Sequence, residues 1–170
     1  MMADVAPRSD RVELLLFRHA DAGDSSAWTG PDDVRPLSPK GHRHAARVAG
    51  WLVTIDHRPD VILSSPRLRA TETAAAVADA FGMTMLTDPR LCGPLGIRIL
   101  EEILADAGGP TRPMLVGHDP DFSELAALLT GAMSLEMRKG ALARIDVAPP
   151  LEPGSGNLRW LVPPDALPGD

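Results

Sequence analysis

In this 170-residue sequence, a histidine follows each of two apolar runs within two residues. Arg18 and His19 directly follow residues 14–17, and His118 lies two positions beyond residues 114–116. A neutral imidazole is a nucleophile or a general base near pH 7, and a guanidinium offers a planar fork of donors that matches phosphate oxygens. These residue types together suggest chemistry on a phosphate-like dianion.

A third polar stretch, residues 64–69, also follows an apolar run and supplies Arg67 and Arg69. If the three apolar runs are parallel strands, their carboxyl ends lie on one rim of a sheet, where such folds bind ligands. Taken singly, each stretch is equally explained as a solvated loop, a turn or a helix start. Their shared position relative to the strands favours one anion site, to which helix N-termini would add backbone N–H donors.

Short apolar runs alternate with amphipathic segments, which predicts a three-layer α/β/α fold with a mostly parallel sheet and an antiparallel edge. Strands are expected over residues 12–17, 61–63, 83–86, 114–116, 141–147 and 157–162. Helices are expected to begin at Ser38-Pro39, Ser65-Pro66 and Asp119-Pro120, and a further helix is expected over residues 95–107. Residues 21–36 are rich in Gly, Asp, Ser and Pro and indicate a loop.

The bulk composition indicates one globular domain over residues 1–170, with frayed tails at residues 1–10 and 165–170. The net charge is −6 and no more than two Lys or Arg residues are adjacent, which argues against nucleic acid or a membrane as partner. A fold can still gather scattered cations in one cleft. A single cysteine, Cys92, and the lack of a signal-peptide core favour the cytoplasm.

The polar stretches also resemble the motifs of a known family. LLLFRHADAG resembles the Arg-His-Gly signature of the histidine phosphatase superfamily, which includes the cofactor-dependent phosphoglycerate mutases. ILSSPRLRATETA and MLVGHDPDF resemble its Ser-Ser-Pro and Gly-His-Asn-Pro motifs. VRPLSPKGHRHA, KGALARIDV and NLRWLVPPDAL are similar to stretches of the small SixA-type phosphohistidine phosphatases. The resemblance runs from about residue 14 to 167 and implies a phosphoglycerate mutase-like fold.

Two positions depart from the family's motifs. Ala20 replaces a glycine with another small residue, and little harm is expected from this change. Asp119 replaces an asparagine; its carboxylate can still cap a helix but adds negative charge near a phosphate site. It is expected either to weaken phosphate binding or to hold His118 in one orientation.

The resemblance implies a role for each matching residue. His19 is the nucleophile; its neutral ring forms a covalent phosphohistidine, which water then hydrolyses to release inorganic phosphate. Arg18 and Arg69 hold the phosphoryl oxygens, and a protonated His118 forms a third clamp, with no metal and no cofactor required. Arg67 occupies a variable position of its motif and is expected to be exposed.

A proton donor for the leaving group is not evident. Asp21 and Asp88 are candidates by position, and each has an equally ordinary structural explanation. An alkoxide leaving group needs general-acid help of about 10²- to 10⁴-fold, whereas an imidazole protonates near neutral pH. This difference, and the lack of insertions long enough to form a lid, favour phosphohistidine on a protein as substrate. A small phosphate ester as substrate and a non-catalytic phosphate-binding domain are the alternatives.

Overall fold

The computed structural model describes residues 10–169. The strands are β1 Val12–Arg18, β2 Val61–Ser64, β3 Leu86–Thr87, β4 Pro113–Gly117, β5 Leu142–Val147 and β6 Asn157–Val162. The α-helices are α1 Pro39–Thr54, α2 Leu68–Phe81, α3 Ile97–Asp106 and α4 Asp121–Thr130. All six strands form one sheet in the order β3-β2-β4-β1-β5-β6. The pairs from β3 to β1 are parallel, and β5 and β6 form the antiparallel edge.

Strand β1 lies inside the sheet, and both of its faces are covered by apolar side chains. Leu14 and Leu16 pack into the core on the α3 and α4 side, and Leu15 and Phe17 pack on the α1 and α2 side. A strand buried on both faces needs a continuous apolar run, which is what residues 14–17 provide. The three-layer fold predicted from the sequence is confirmed.

The start of α1 is also confirmed. Ser38 is the N-cap, and its Oγ accepts a hydrogen bond of 3.0 Å from the backbone N–H of Gly41. Pro39 occupies the first helical position, where its missing N–H costs no hydrogen bond.

The other two predicted helix starts are too early. Helix α2 begins at Leu68, two positions after the predicted first residue, and the Ser65 hydroxyl contacts the ring of His118. Helix α4 begins one residue late, with Asp121, and the Asp119 carboxylate accepts hydrogen bonds from its first turn. In both places the side chain expected to cap the helix has a second partner.

Three further segments differ from the sequence prediction. Strand β3 comprises Leu86–Thr87 rather than residues 83–86, and α3 is shorter than residues 95–107. The loop over residues 21–36 contains two short 3-10 turns, Ser25–Ala27 and Asp32–Val34. The second of these turns supplies carboxylates to the site described below.

The frayed C-terminal tail predicted over residues 165–170 is wrong for the part that the structure describes. Pro164–Ala166 form a 3-10 turn, and Arg47 of α1 donates a 3.4 Å hydrogen bond to the Pro164 carbonyl. Leu167 is buried in the core on the α1 and α2 side, which anchors the segment through apolar burial. The tail predicted over residues 1–10 lies outside the described residues except for its last position.

The order of the strands brings the three polar stretches to one rim. Strand β4 lies between β1 and β2, with Arg18 opposite Gly117 and Ser64 opposite Val116. The residues that follow these three parallel strands therefore emerge side by side. Within residues 10–169, no helix is long and apolar enough to cross a membrane.

Gly41 allows the first turn of α1 to lie directly against the loop that follows β1. A Cβ atom at Gly41 would lie 1.9 Å from the carbonyl oxygen of Asp21. We expect Gly41→Ala to lower the free energy of unfolding by about 1–3 kcal/mol, because the backbone must shift to admit the methyl group. Chemical denaturation followed by circular dichroism measures this change.

Gly50 provides the matched control in the same helix. It is exposed, and a Cβ atom there would meet nothing within 4 Å. Gly50→Ala is therefore expected to be neutral or to stabilise the protein by up to about 1 kcal/mol, the helix-propensity difference. Equal unfolding midpoints for the two variants would contradict the close contact at Gly41.

Candidate active site

A cavity of about 310 Å³ opens at the rim where the three polar stretches meet. Its lining consists of Arg18, His19, Gly23, Asp24, Ser25, Arg35, Arg67, Arg69, His118, Asp119 and Lys139. Five of these side chains are cationic, and two are carboxylates. The chain as a whole carries a net charge of −6, so the fold concentrates positive charge at this one place.

Backbone hydrogen bonds on both sides hold His19 in place. Its N–H donates to the carbonyl of Gly117 at 2.9 Å, and its carbonyl accepts from the N–H of Gly140 at 3.0 Å. The next residue, Ala20, donates its N–H to the hydroxyl of Thr73 in α2 at 3.0 Å. The backbone at His19 and Ala20 is therefore hydrogen-bonded to β4, to the turn before β5 and to α2.

The His19 ring has a defined tautomer. Its Nδ1 lies 2.7 Å from the Ala20 carbonyl oxygen, which can only accept, so Nδ1 carries the hydrogen and Nε2 keeps a lone pair. Burial lowers the pKa of His19 to about 3, and the positive charges of Arg69 and Arg18 contribute to the shift. The ring is therefore neutral at pH 7, as an attacking nucleophile must be.

His118 lies next to His19, with 5.2 Å between the ring centroids. Its Nε2 is 2.7 Å from the Ser65 hydroxyl. Burial, together with the charges of Arg69 and Arg67, lowers the pKa of His118 to about 4. His118 is thus neutral at pH 7 in this structure, whereas a protonated His118 that holds the phosphoryl group was expected from the sequence. A dianion beside the ring would raise this pKa again.

Some guanidinium nitrogens of Arg18 and Arg69 donate hydrogen bonds to neighbouring groups of the protein. Arg18 donates from Nη1 to the Met137 carbonyl at 2.6 Å and to the Asp119 carboxylate at 3.4 Å. Arg69 donates to the carbonyl and the carboxylate of Asp32, at 2.8 and 2.9 Å. These contacts orient both side chains and leave other N–H groups for a ligand.

Buried side-chain nitrogens without hydrogen-bond partners concentrate around this cavity. Within residues 10–169 such atoms are Arg18 Nε, Arg67 Nε, Arg69 Nε, His118 Nδ1 and His57 Nε2. All but the last belong to side chains that line the cavity. A buried polar group left unpaired costs about 1–3 kcal/mol, so an oxyanion that accepted these donors would be stabilised.

Three cations of the cavity were not assigned to a site from the sequence. Arg67 was expected to be exposed, yet it lines the cavity, and its side chain is 32% exposed. Arg35 and Lys139 belong to the stretches VRPLSPKG and KGALARIDV, whose family resemblance was the available signal. Arg35 is buried and donates to the Ala22 carbonyl at 2.8 Å, so it stabilises the loop.

The two predicted proton donors do not line the cavity. Hydrogen bonds from Arg90, the shortest 2.6 Å, lower the pKa of Asp88. The Ser38 hydroxyl, 2.6 Å from the Asp21 carboxylate, lowers the pKa of Asp21, and Lys139 lies 3.5 Å away. Both carboxylates thus have structural partners outside the cavity lining, and the role of either as proton donor stays a prediction.

The carboxylates that do line the cavity are Asp24 and Asp119. Asp24 accepts from the backbone and the hydroxyl of Ser26, and these hydrogen bonds lower its pKa. Asp119 accepts from Ser123 and contacts Arg18. No group of three or more His, Cys, Asp or Glu residues between positions 10 and 169 is placed to hold a metal ion.

Comparison with known proteins gives this geometry a context. The family model of the histidine phosphatase superfamily (branch 1) matches residues 14–93. An uncharacterised protein of Picosynechococcus sp. is 35% identical over 121 residues, which cover 68% of this chain and 71% of the relative. The chain belongs to the histidine phosphatase superfamily. The resemblance seen in the sequence motifs is thereby confirmed.

Two further comparisons involve SixA proteins of this superfamily. The phosphohistidine phosphatase SixA of Escherichia coli is 27% identical over 158 residues, which cover 90% of this chain and 94% of the relative. The structure of the protein histidine phosphatase SixA complexed with tungstate has a TM-score of 0.77 and 24% identity, covering 91% of this chain and 98% of that one. This structural similarity shows a shared fold.

The lowered pKa values of the two histidines predict how stability depends on pH. An unfolded histidine binds a proton near pH 6.5, whereas His19 and His118 do so in the folded protein near 3 and 4. The unfolded state thus takes up more protons below pH 6.5, and the free energy of unfolding falls as the pH falls from 7 towards 4. NMR titration of the imidazole rings and urea unfolding at several pH values test this. His19→Gln and His118→Gln should each flatten the dependence, and ring titration above pH 6 would contradict it.

Proposed function

We propose that this protein is a phosphatase in which His19 takes the phosphoryl group from a phosphohistidine on another protein and transfers it to water. The observation that carries the proposal is the neutral, tautomerically fixed ring of His19 in a cavity whose lining includes three guanidinium Nε atoms and one imidazole nitrogen without hydrogen-bond partners. A tetrahedral dianion matches both the charge and the free hydrogen-bonding groups of this cavity.

In the first step, Nε2 of His19 forms a bond to phosphorus while the bond from phosphorus to the substrate imidazole breaks. The departing imidazole nitrogen takes up a proton from solvent water, and the water that attacks in the second step returns one proton to solvent. Arg18 and Arg69 balance the charge on the peripheral phosphoryl oxygens, and their anchoring contacts limit the reorganisation that this requires. The product of the step is a phosphohistidine at His19.

In the second step, water attacks phosphorus and the bond to His19 breaks, which releases inorganic phosphate and returns Nε2 to its starting state. His118 is close enough to the His19 ring to hydrogen-bond the phosphoryl group. As a neutral imidazole that gains basicity beside a dianion, it is suited to stabilise the group in both steps.

The carboxylates of the site favour phosphohistidine as substrate. Asp24 accepts hydrogen bonds from Ser26, which lower its pKa, and Asp119 accepts from Ser123 and contacts Arg18. An alkoxide leaving group depends on a protonated acid, whereas an imidazole acquires its proton near neutral pH. The name of the Escherichia coli relative, a phosphohistidine phosphatase, supports the same substrate class.

Hydrolysis of small phosphate esters is the second candidate, and the position of Asp24 favours it. This carboxylate lines the cavity and belongs to the exposed 21–36 loop, where it could approach a leaving group. Under this alternative, Asp24 is the general acid.

Three expectations from the sequence stay predictions. They are a partner protein that carries the phosphohistidine, a cytoplasmic location, and the lack of nucleic-acid and membrane partners.

A covalent intermediate is the direct test of the proposed function. We expect rapid acid-free quenching with a phosphohistidine protein, followed by mass spectrometry, to find a phosphoryl group on His19. His19→Ala should lose this adduct and reduce turnover by at least about 10³-fold, because no other group replaces the nucleophile. Asp88→Asn should retain turnover. An active protein that never carries phosphate on His19 would overturn the mechanism, and phosphate binding without turnover would indicate a binding domain.

Asp24→Asn separates the two substrate classes. If phosphohistidine is the substrate, we expect its kcat/KM to stay unchanged in this variant, because the leaving imidazole needs no carboxylic acid. If Asp24 is a general acid for esters, kcat on an alkyl phosphate should fall by about 10²-fold or more. Wild-type protein that hydrolyses sugar phosphates far faster than phosphohistidine proteins would decide in favour of the ester candidate.

A further inference from the structure

The cavity is lined by more cationic side chains than the two that are assigned to the phosphoryl dianion. Arg18 and Arg69 already supply two positive charges, and Arg35 is held in the loop by carbonyl and carboxylate partners. Arg67 and Lys139 remain as additional cations of the lining. Their charges are available to a second anionic group on the molecule that carries the phosphate.

Arg67 is close to the reacting groups but is not held like its neighbours. Its positive charge contributes to the lowered pKa of His118. Its Nε lies 3.0 Å from a carboxylate oxygen of Asp33, a side chain that is 75% exposed, and it has no partner with hydrogen-bond geometry. An ion pair with such a solvated partner contributes little, so a carboxylate from another molecule can replace Asp33 at small cost.

Lys139 occupies the other side of the site. Its side chain is 44% exposed and lies 3.5 Å from Asp21. The following residue, Gly140, donates the hydrogen bond that anchors the His19 carbonyl. Lys139 thus directly precedes the peptide N–H that contacts the proposed nucleophile, and its side chain lines the open cavity.

The strand order places these two cations around both histidines. Arg67 follows β2, and Lys139 precedes β5. Strands β4 and β1, whose ends carry His118 and His19, lie between β2 and β5 in the sheet. A peptide segment that presents its phosphohistidine to His19 therefore has a cation available on either side.

We propose that Arg67 and Lys139 bind carboxylates that flank the phosphohistidine, so that the site selects acidic phosphohistidine segments. This inference rests on the proposed function and adds the class of segment that the enzyme prefers. Arg18, Arg69 and His118 hold the phosphoryl group itself, and the two additional cations determine specificity.

The test uses three peptides of equal length, each phosphorylated on one histidine with phosphoramidate and flanked by Glu, Gln or Lys. We expect the wild-type protein to prefer the Glu peptide over the Gln peptide in kcat/KM by about 5-fold for each ion pair formed. The preference should shrink at about 1 M salt, where charges are screened beyond about 3 Å.

Charge reversal at Arg67 makes the test specific. Arg67→Glu should shift the preference towards the Lys peptide, and Arg67→Lys should keep the preference for Glu. Arg98→Glu is the matched control, because Arg98 is exposed on α3 and pairs with Glu102 away from the cavity. It changes the net charge equally and should leave the preference unchanged. Lys139→Gln should reduce the preference without reversing it.

The outcomes separate this inference from the proposed function. Equal rates on the Glu and Gln peptides would overturn the inference and leave the phosphatase intact, whereas hydrolysis of none of the three would overturn the phosphatase. If Arg67→Glu slows all peptides equally, Arg67 belongs to the phosphoryl clamp and the specificity role is wrong. Should that variant fail to fold, the comparison of Arg67→Lys and Lys139→Gln still decides.

Discussion

The attachment of His19 to three separate parts of the fold is the constraint on which the site depends. Hydrogen bonds to Gly117 and Gly140 hold its backbone between the end of β4 and the turn before β5. The Ala20 carbonyl then fixes the ring through Nδ1. Because these contacts are made by backbone groups, they orient the imidazole without depending on the identity of neighbouring side chains.

Burial and positive charge act on the two histidines in the same direction. Both disfavour an imidazolium, so the pKa values of His19 and His118 fall to about 3 and 4. The fold thus keeps the His19 ring neutral by placing it where a proton is disfavoured. The same cations that keep a proton away attract a phosphoryl dianion, so one electrostatic field serves both binding and activation.

The acidic residues around the cavity serve mainly to hold its cations. Asp32 binds Arg69, Asp119 contacts Arg18, and Asp33 lies against Arg67. Grouping several guanidinium ions without counter-ions would be costly, and these carboxylates reduce the repulsion. These three carboxylates therefore act as counter-ions of the guanidinium groups.

Local pattern determined most of the architecture. A continuous apolar run must be buried on both faces, which identified β1, and alternation with amphipathic helices implied the parallel sheet and its rim. His19, Arg18, Arg69 and His118 were candidates because they follow strands, and the structure brings them together. Where only spacing was available, as at Ser65 and Asp119, helix starts were misplaced because those side chains have distant partners.

Tertiary structure alone decided how each ionisable side chain is used. Asp21 and Asp88 were plausible acids in the sequence. In the fold, Ser38 and Arg90 donate hydrogen bonds to these carboxylates. Arg67 is the residue that directly precedes α2, and it lines the cavity although it was expected to be exposed. Strand and helix periodicity depends on neighbours along the chain, whereas ion pairing and pKa depend on neighbours in space. The sequence therefore determined which residues reach the rim, and only the folded protein decided which charges remain free there.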